Sequence, residues 1–110
     1  MVSNHGGRAL DGAPASLSAL PAMRARLGRQ ASILLDGGVR SGADVFKALA
    51  LGADAVLIGR PQIYALAVAG SLGVAHMLRM MRDELELCMA LAGLGDLRCI
   101  TPAALFKRDV

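Results

Sequence analysis

The sequence predicts an α/β fold in which short parallel strands alternate with helices, and three observations predict it. Two aliphatic runs, Ser32–Leu35 (SILL) and Ala55–Ile58 (AVLI), each lead into glycine, as strands covered on both faces do. Between them Ser41-Gly42-Ala43-Asp44 has the spacing of a capping box, and Val45, Phe46, Ala48, Leu49 and Ala50 carry a helix on to Gly52. The resulting strand, helix, strand unit calls for a right-handed crossover, the periodicity of a parallel α/β barrel or a doubly wound sheet.

The remaining elements follow in order. Met1 and Val2 read as the stub of a preceding strand, and Ser16–Arg26 as a helix with Leu17, Leu20, Met23 and Leu27 on its apolar face and Pro21 where it would divide. After the second strand, Val74, Met77, Leu78, Met81, Leu85, Cys88, Met89 and Ala92 keep helical three-four spacing, with Arg79–Asp83 and Arg82–Glu86 as i,i+4 pairs opposite. Met77, Met80, Met81 and Met89 are expected in the core, and His76 at the surface or in packing. Thr101 and Pro102 suit the N-cap and first position of a last helix, Ala103–Lys107.

A chain of 110 residues and 11.4 kDa holds one small domain, residues 1–110, and 55% hydrophobic residues exceed what an isolated domain of this size needs. Two or three parallel strands close no barrel, so the chain is expected to be the tail of a longer protein or to need a partner. The net charge of +3, with arginines scattered among aliphatics and no interleaved aromatics, excludes a nucleic-acid binder. Cys88 and Cys99 carry no metal-ligand spacing, so no metal site is expected and both read as buried thiols of a reducing compartment. Pro61–Leu78 lacks charged residues, but its Pro61, Gln62, Gly70, Ser71, Gly73 and His76 argue against a membrane span. No signal peptide is expected before His5, and the expected location is cytoplasmic, with the inner face of the membrane as alternative.

The polar chemistry gathers at strand ends. LLDGGVRSG follows the first run and LIGRP the second, so Gly37, Gly38 and Arg40, and then Gly59 and Arg60, are placed to hold a phosphate, aided by the positive end of the helix after Ser41. Asp36 could accept hydrogen bonds from ligand hydroxyls; a plain turn capped by Asp36 is the bland alternative. Near the start, SNHGGR sets His5 and Arg8 around Gly6 and Gly7, which remove side chains that would keep a ligand from the backbone. An imidazole base beside a guanidinium fork suits a substrate with a carboxylate next to the bond being broken. Asp11 is expected to bind loop amides.

SNHGGRALDGAPAS, LLDGGVRSGADVFKALALGADAVLIGRP, YALAVAG and ELELCMALAG resemble the C-terminal part of the FMN-dependent α-hydroxy acid oxidases and dehydrogenases, over essentially the whole chain from Val2. That group includes glycolate oxidase, lactate oxidase, L-lactate dehydrogenase and mandelate dehydrogenase. The resemblance implies the last two to three βα units of a (β/α)8 TIM barrel plus terminal helices, with FMN as cofactor. It implies His5 as the base that takes a proton from an L-2-hydroxy acid and Arg8 as the clamp on its carboxylate. It further implies Ser3 as an FMN contact, Asp36, Gly37, Gly38, Val39 and Arg40 along the ribityl chain and phosphate, and Gly59 with Arg60 as the second phosphate contact. Oxygen, a quinone or a cytochrome would take the electrons, and the complete protein would be a tetramer. Ala9 stands where the family most often has glutamine, and the family's tyrosines, lysine and histidine-orienting aspartate belong to earlier strands. Two alternatives stay open: a noncatalytic FMN- or phosphate-binding remnant that completes a barrel, and a barrel resembling inosine monophosphate dehydrogenase.

Overall fold

The computed structural model describes residues 1–106. Two strands, β1 (Leu34–Asp36) and β2 (Ala55–Leu57), pair in parallel with Leu34 opposite Ala55, Leu35 opposite Val56 and Asp36 opposite Leu57. Val2 makes a parallel bridge to Leu35 on the other side of β1, donating from its N–H to Leu34 O and accepting from Asp36 N–H, both at 2.8 Å. The expected strand stub is therefore present, and β1 lies between it and β2. All three segments run the same way, so the residues that follow them emerge on one side.

The strands are displaced from their expected limits for local reasons. The Ile33 N–H donates to Asp54 Oδ2 at 2.6 Å instead of to the ladder, so β1 begins at Leu34 and not at Ser32. It runs on to Asp36 because that residue still bonds to Val2. β2 stops at Leu57 because its partner strand turns away at Gly37, whose φ is 104°.

Helix α1 (Ser16–Leu27) keeps Pro21 inside it, with the ring on the exposed face at the loss of one helix bond. Leu20 is wholly buried and Leu17 packs beside it, but Met23 and Leu27 are exposed, so only the first half of the expected apolar face is covered. Helix α2 (Gly42–Ala50) carries the expected capping box: Ser41 Oγ accepts from Asp44 N–H and Asp44 Oδ2 accepts from Ser41 N–H. Helix α3 (Arg60–Leu91) starts well before the expected Val74, directly after β2, and breaks at Ala69 and Gly70, which leave helical backbone angles. Pro61 in its first turn favours that early start. By length and mean hydropathy, 1.4 over its most apolar window, α3 is long enough to cross a membrane. The stretch before the break is about 15 Å long and the stretch after it carries Arg79, Arg82, Asp83, Glu84 and Glu86, so neither part alone is an apolar span.

The core joins Val2, Leu20, Ile33, Leu35, Val39, Ala48, Ala53 and Met81, and a second cluster holds Phe46, Ala50 and Ile100. Gly42 lets α2 lie directly on α3, since a methyl group there would run into the backbone of Met81 and Leu85. Of the methionines, Met81 is buried and Met77 and Met89 pack against the clusters, but Met80 is half exposed on the outer face. His76 lies at the surface, as expected. Cys88 is half-buried and Cys99 exposed, against the expectation that both are buried. The last helix is a 3-10 turn, Pro102–Ala104, without a side-chain cap from Thr101; Lys107, its expected end, lies outside the described residues.

Candidate functional site

The Ser3–Arg8 loop, the turn after β1 and the start of α3 meet around one open cavity of about 280 Å³. His5 and Arg8 line it from the loop, Asp36, Gly37, Gly38, Val39 and Arg40 from the turn, and Gly59 and Arg60 from the third segment. Nine of the ten residues expected at a site thus face one space, drawn from three neighbouring strand ends; Ser3 does not line it. Leu57, Pro61 and Ile63 supply an apolar flank that sequence reasoning did not name.

The SNHGGR segment folds as a 3-10 turn, His5–Gly7, in which His5, Gly6 and Gly7 all have positive φ, at 54°, 65° and 74°. Histidine is unusual there, and the loop is held by several bonds. Ser3 Oγ donates to Asp36 Oδ2 at 2.5 Å and accepts from His5 N–H at 3.1 Å. Asn4 Oδ1 accepts from Gly6 N–H at 3.1 Å while Asn4 Nδ2 donates to Pro14 O at 3.2 Å. Asn4 was not among the expected site residues, because its residue type alone marks no such role. A side chain at Gly37 would also sit 2.7 Å from Asn4 Oδ1, which ties the two turns by shape.

These bonds change the role of the glycines. The amides of Gly6 and Gly7 are taken by Asn4, so they do not point at a ligand. Gly6 instead makes room for Arg60, whose Nη2 donates to Gly6 O at 2.5 Å and would lie 2.6 Å from a Cβ at that position.

The first turn of α2 is likewise occupied, contrary to the expected phosphate role of its positive end. Asp44 Oδ2 accepts from Arg40 N–H at 3.0 Å and Ser41 N–H at 3.1 Å, and Glu84 Oε2, from α3, accepts from Gly42 N–H at 2.7 Å. Two carboxylates already answer that helix end, where a third anion would be repelled. At the other helix, Gly59 precedes α3 with no side-chain cap, beside Arg60. Among the described residues, the side chains of His5, Arg8 and Arg40 make no hydrogen bond, and Asp11 is exposed and bonds no loop amide. No group of three or more possible metal ligands occurs among the described residues.

On the opposite side of the sheet lies a different cluster. Arg24, from α1, donates to Gly52 O and Gly28 O at 2.7 Å, to Ala31 O at 3.0 Å and to Asp54 Oδ2 at 2.5 Å. The Ile33 amide and then the Arg24 guanidinium hold the Asp54 carboxyl below its ordinary value of 3.8. Arg24 and Asp54 between them join α1, the Gly28–Ala31 turn, the start of β1 and the loop before β2, so this cluster ties elements together.

An α/β segment that turns unpaired cations, a carboxylate and an imidazole from adjacent strand ends into one cavity is built for an anionic ligand. Residues 1–107 match the profile of the family described as FMN-dependent dehydrogenase, and the chain belongs to that family, whose cofactor is FMN. It is 69% identical over 101 residues to an L-lactate oxidase of Alicycliphilus denitrificans, a match covering 92% of this chain and 28% of that protein. With glycolate oxidase 1 of Oryza sativa subsp. indica the identity is 54% over 106 residues, 96% of this chain and 29% of the other. An active mutant of (S)-mandelate dehydrogenase superposes with a TM-score of 0.92 at 40% identity, over 96% of this chain and 30% of that one. The chain therefore spans less than a third of the length of these relatives.

Proposed function

We propose that this chain is the C-terminal portion of a (β/α)8 flavoprotein that oxidises an L-2-hydroxy acid to the 2-oxo acid. The observation that carries the reading is the single cavity in which His5 and Arg8 meet the turns at Asp36–Arg40 and Gly59–Arg60. The donor set fits a phosphorylated, polyhydroxylated cofactor: Arg40 is free to meet a phosphate, Gly59 opens α3 beside Arg60, and half-buried Asp36 can accept from hydroxyls while held by Ser3. FMN, when bound, supplies the acceptor for the two electrons that leave the substrate. Arg8 would grip the substrate carboxylate through two parallel N–H donors, fixing the α-carbon in register. His5 would take the proton that leaves the substrate on an imidazole nitrogen.

The relative named L-lactate oxidase supports L-lactate as the first acid to test and oxygen as the electron acceptor; a tetramer of the complete protein belongs to the same proposal. The test is anaerobic addition of L-lactate, glycolate and (S)-mandelate to the complete FMN-loaded protein. Bleaching of the flavin absorbance by at least one acid is the expected result, and His5→Gln should slow it by about 10²–10⁴-fold. A flavin that stays oxidised with every acid sinks the reading.

A further inference from the structure

We propose that Ser3 is a positioning residue for His5: its hydroxyl joins the Asp36 carboxylate to the His5 backbone and holds His5 in its left-handed conformation. This rests on the reading of His5 as the base. Ser3 Oγ has one proton to donate and gives it to Asp36 Oδ2 at 2.5 Å, so its lone pairs are left for the His5 N–H at 3.1 Å. Asp36 fixes the direction of that hydroxyl, and the direction selects which backbone amide it can receive. The amide so held belongs to His5, at φ 54°, a conformation that disfavours a side chain with a Cβ. Neighbouring bonds do not replace this one: Asn4 holds Gly6 and Gly7, and Arg60 holds the Gly6 carbonyl, but the His5 amide has Ser3 alone among the described residues.

Ser3 does not line the cavity, and Asp36 does, so the path runs from the cavity wall through Ser3 to the base. A ligand hydroxyl that donates to Asp36 would meet a carboxylate already oriented by Ser3. Whatever holds the cofactor's hydroxyls then also sets where the imidazole stands. Loss of the Ser3 hydroxyl should release His5 toward ordinary backbone angles and free the Asp36 carboxylate from its Ser3 partner, with Arg40, Gly59 and Arg60 untouched.

The experiment compares parent, Ser3→Ala and Ser3→Thr in the complete protein by amide hydrogen exchange without cofactor, FMN affinity, and the anaerobic rate of flavin reduction. Ser3→Ala should speed exchange at the His5 amide about tenfold and, with FMN saturating, slow reduction by a similar factor; Ser3→Thr, which keeps the hydroxyl, should recover most of both. A Ser3→Ala protein that loses FMN affinity yet reduces its flavin at the parent rate when loaded overturns the inference, because Ser3 would then act only as a cofactor contact. A His5 amide in the parent that exchanges as fast as an open loop overturns it without any variant. If His5→Gln reduces flavin at the parent rate, the base reading itself has failed, and the exchange data separate that failure from this one.

Discussion

At the scale of single residues, the contact between Gly6 and Arg60 makes a sharp prediction. Gly6→Ala places a methyl group 2.6 Å from the Arg60 guanidinium and asks alanine to hold a φ of 65°. Arg60 is flexible enough to move, so the cost should be about 1–2 kcal/mol of stability, chiefly from the backbone, together with weaker cofactor retention as Arg60 leaves Gly6 O. Thermal unfolding and FMN titration of the variant check it; an unchanged FMN affinity would separate Arg60 from the cofactor. Arg8→Lys should raise KM for the hydroxy acid by about tenfold or more while FMN affinity holds, since an ammonium cannot reproduce the two parallel donors of a guanidinium. His5, Arg8, Asp36 and the arginines were legible because their side-chain chemistry is written in the residue type. Asn4 was not, because its task is to bond Gly6 and Pro14, and such bonds exist only once the turn has formed.

At the scale of elements, the ends of the sheet divide the labour. The side where the strands end carries the cavity, and the other carries the Arg24 cluster that ties α1 to Gly52, Gly28, Ala31 and Asp54. Arg24→Met should lower stability by about 2 kcal/mol, mostly through the carbonyls left bare, and leave FMN affinity unchanged. Asp54 gives this cluster a pH signature. Its folded carboxyl lies below the ordinary value of 3.8, so the stability it contributes is present above that value and is lost as pH falls through the lower folded one. Melting temperature should drop more steeply below pH 4 in the parent than in Asp54→Asn, which has no such proton to gain; parallel curves would refute the assignment. The strand shift from Ser32 to Leu34 has the same origin, because Asp54, which takes the Ile33 amide, is remote in sequence and invisible to periodicity. The early start of α3 was hidden for another reason: residues 63–70, IYALAVAG, carry no charged side chain and only the Tyr64 hydroxyl as a polar group, so they show no polar face from which a helical period could be read.

At the scale of the whole molecule, the amount of bare surface decides how the chain behaves alone. It exposes 7811 Å², against about 5,800 Å² for a compact monomer of its mass, and its radius of gyration of 14.6 Å exceeds the value of about 13 Å expected for its length. The excess of about 2,000 Å² is the size of an obligate interface. Much of it is apolar: Val68 is 86% and Leu72 79% exposed on α3, and Ile63 and Tyr64 lie exposed on its first turns, with β2 as an uncovered parallel edge nearby. Isolated at tens of micromolar, the 110-residue chain should therefore self-associate, and sedimentation velocity should show little species at 11.4 kDa. Replacing Val68 and Leu72 by lysine tests which surface drives this, because both side chains project from α3 while the cavity and the core clusters stay as they are. Suppressed association in the double variant would locate the sticky face on α3; unchanged association would shift it to the β2 edge, where a lysine at Leu57 is the next substitution. A monodisperse monomer of the unaltered chain would mean that the exposed face is tolerated in water, and that the 110 residues can stand as a folding unit by themselves.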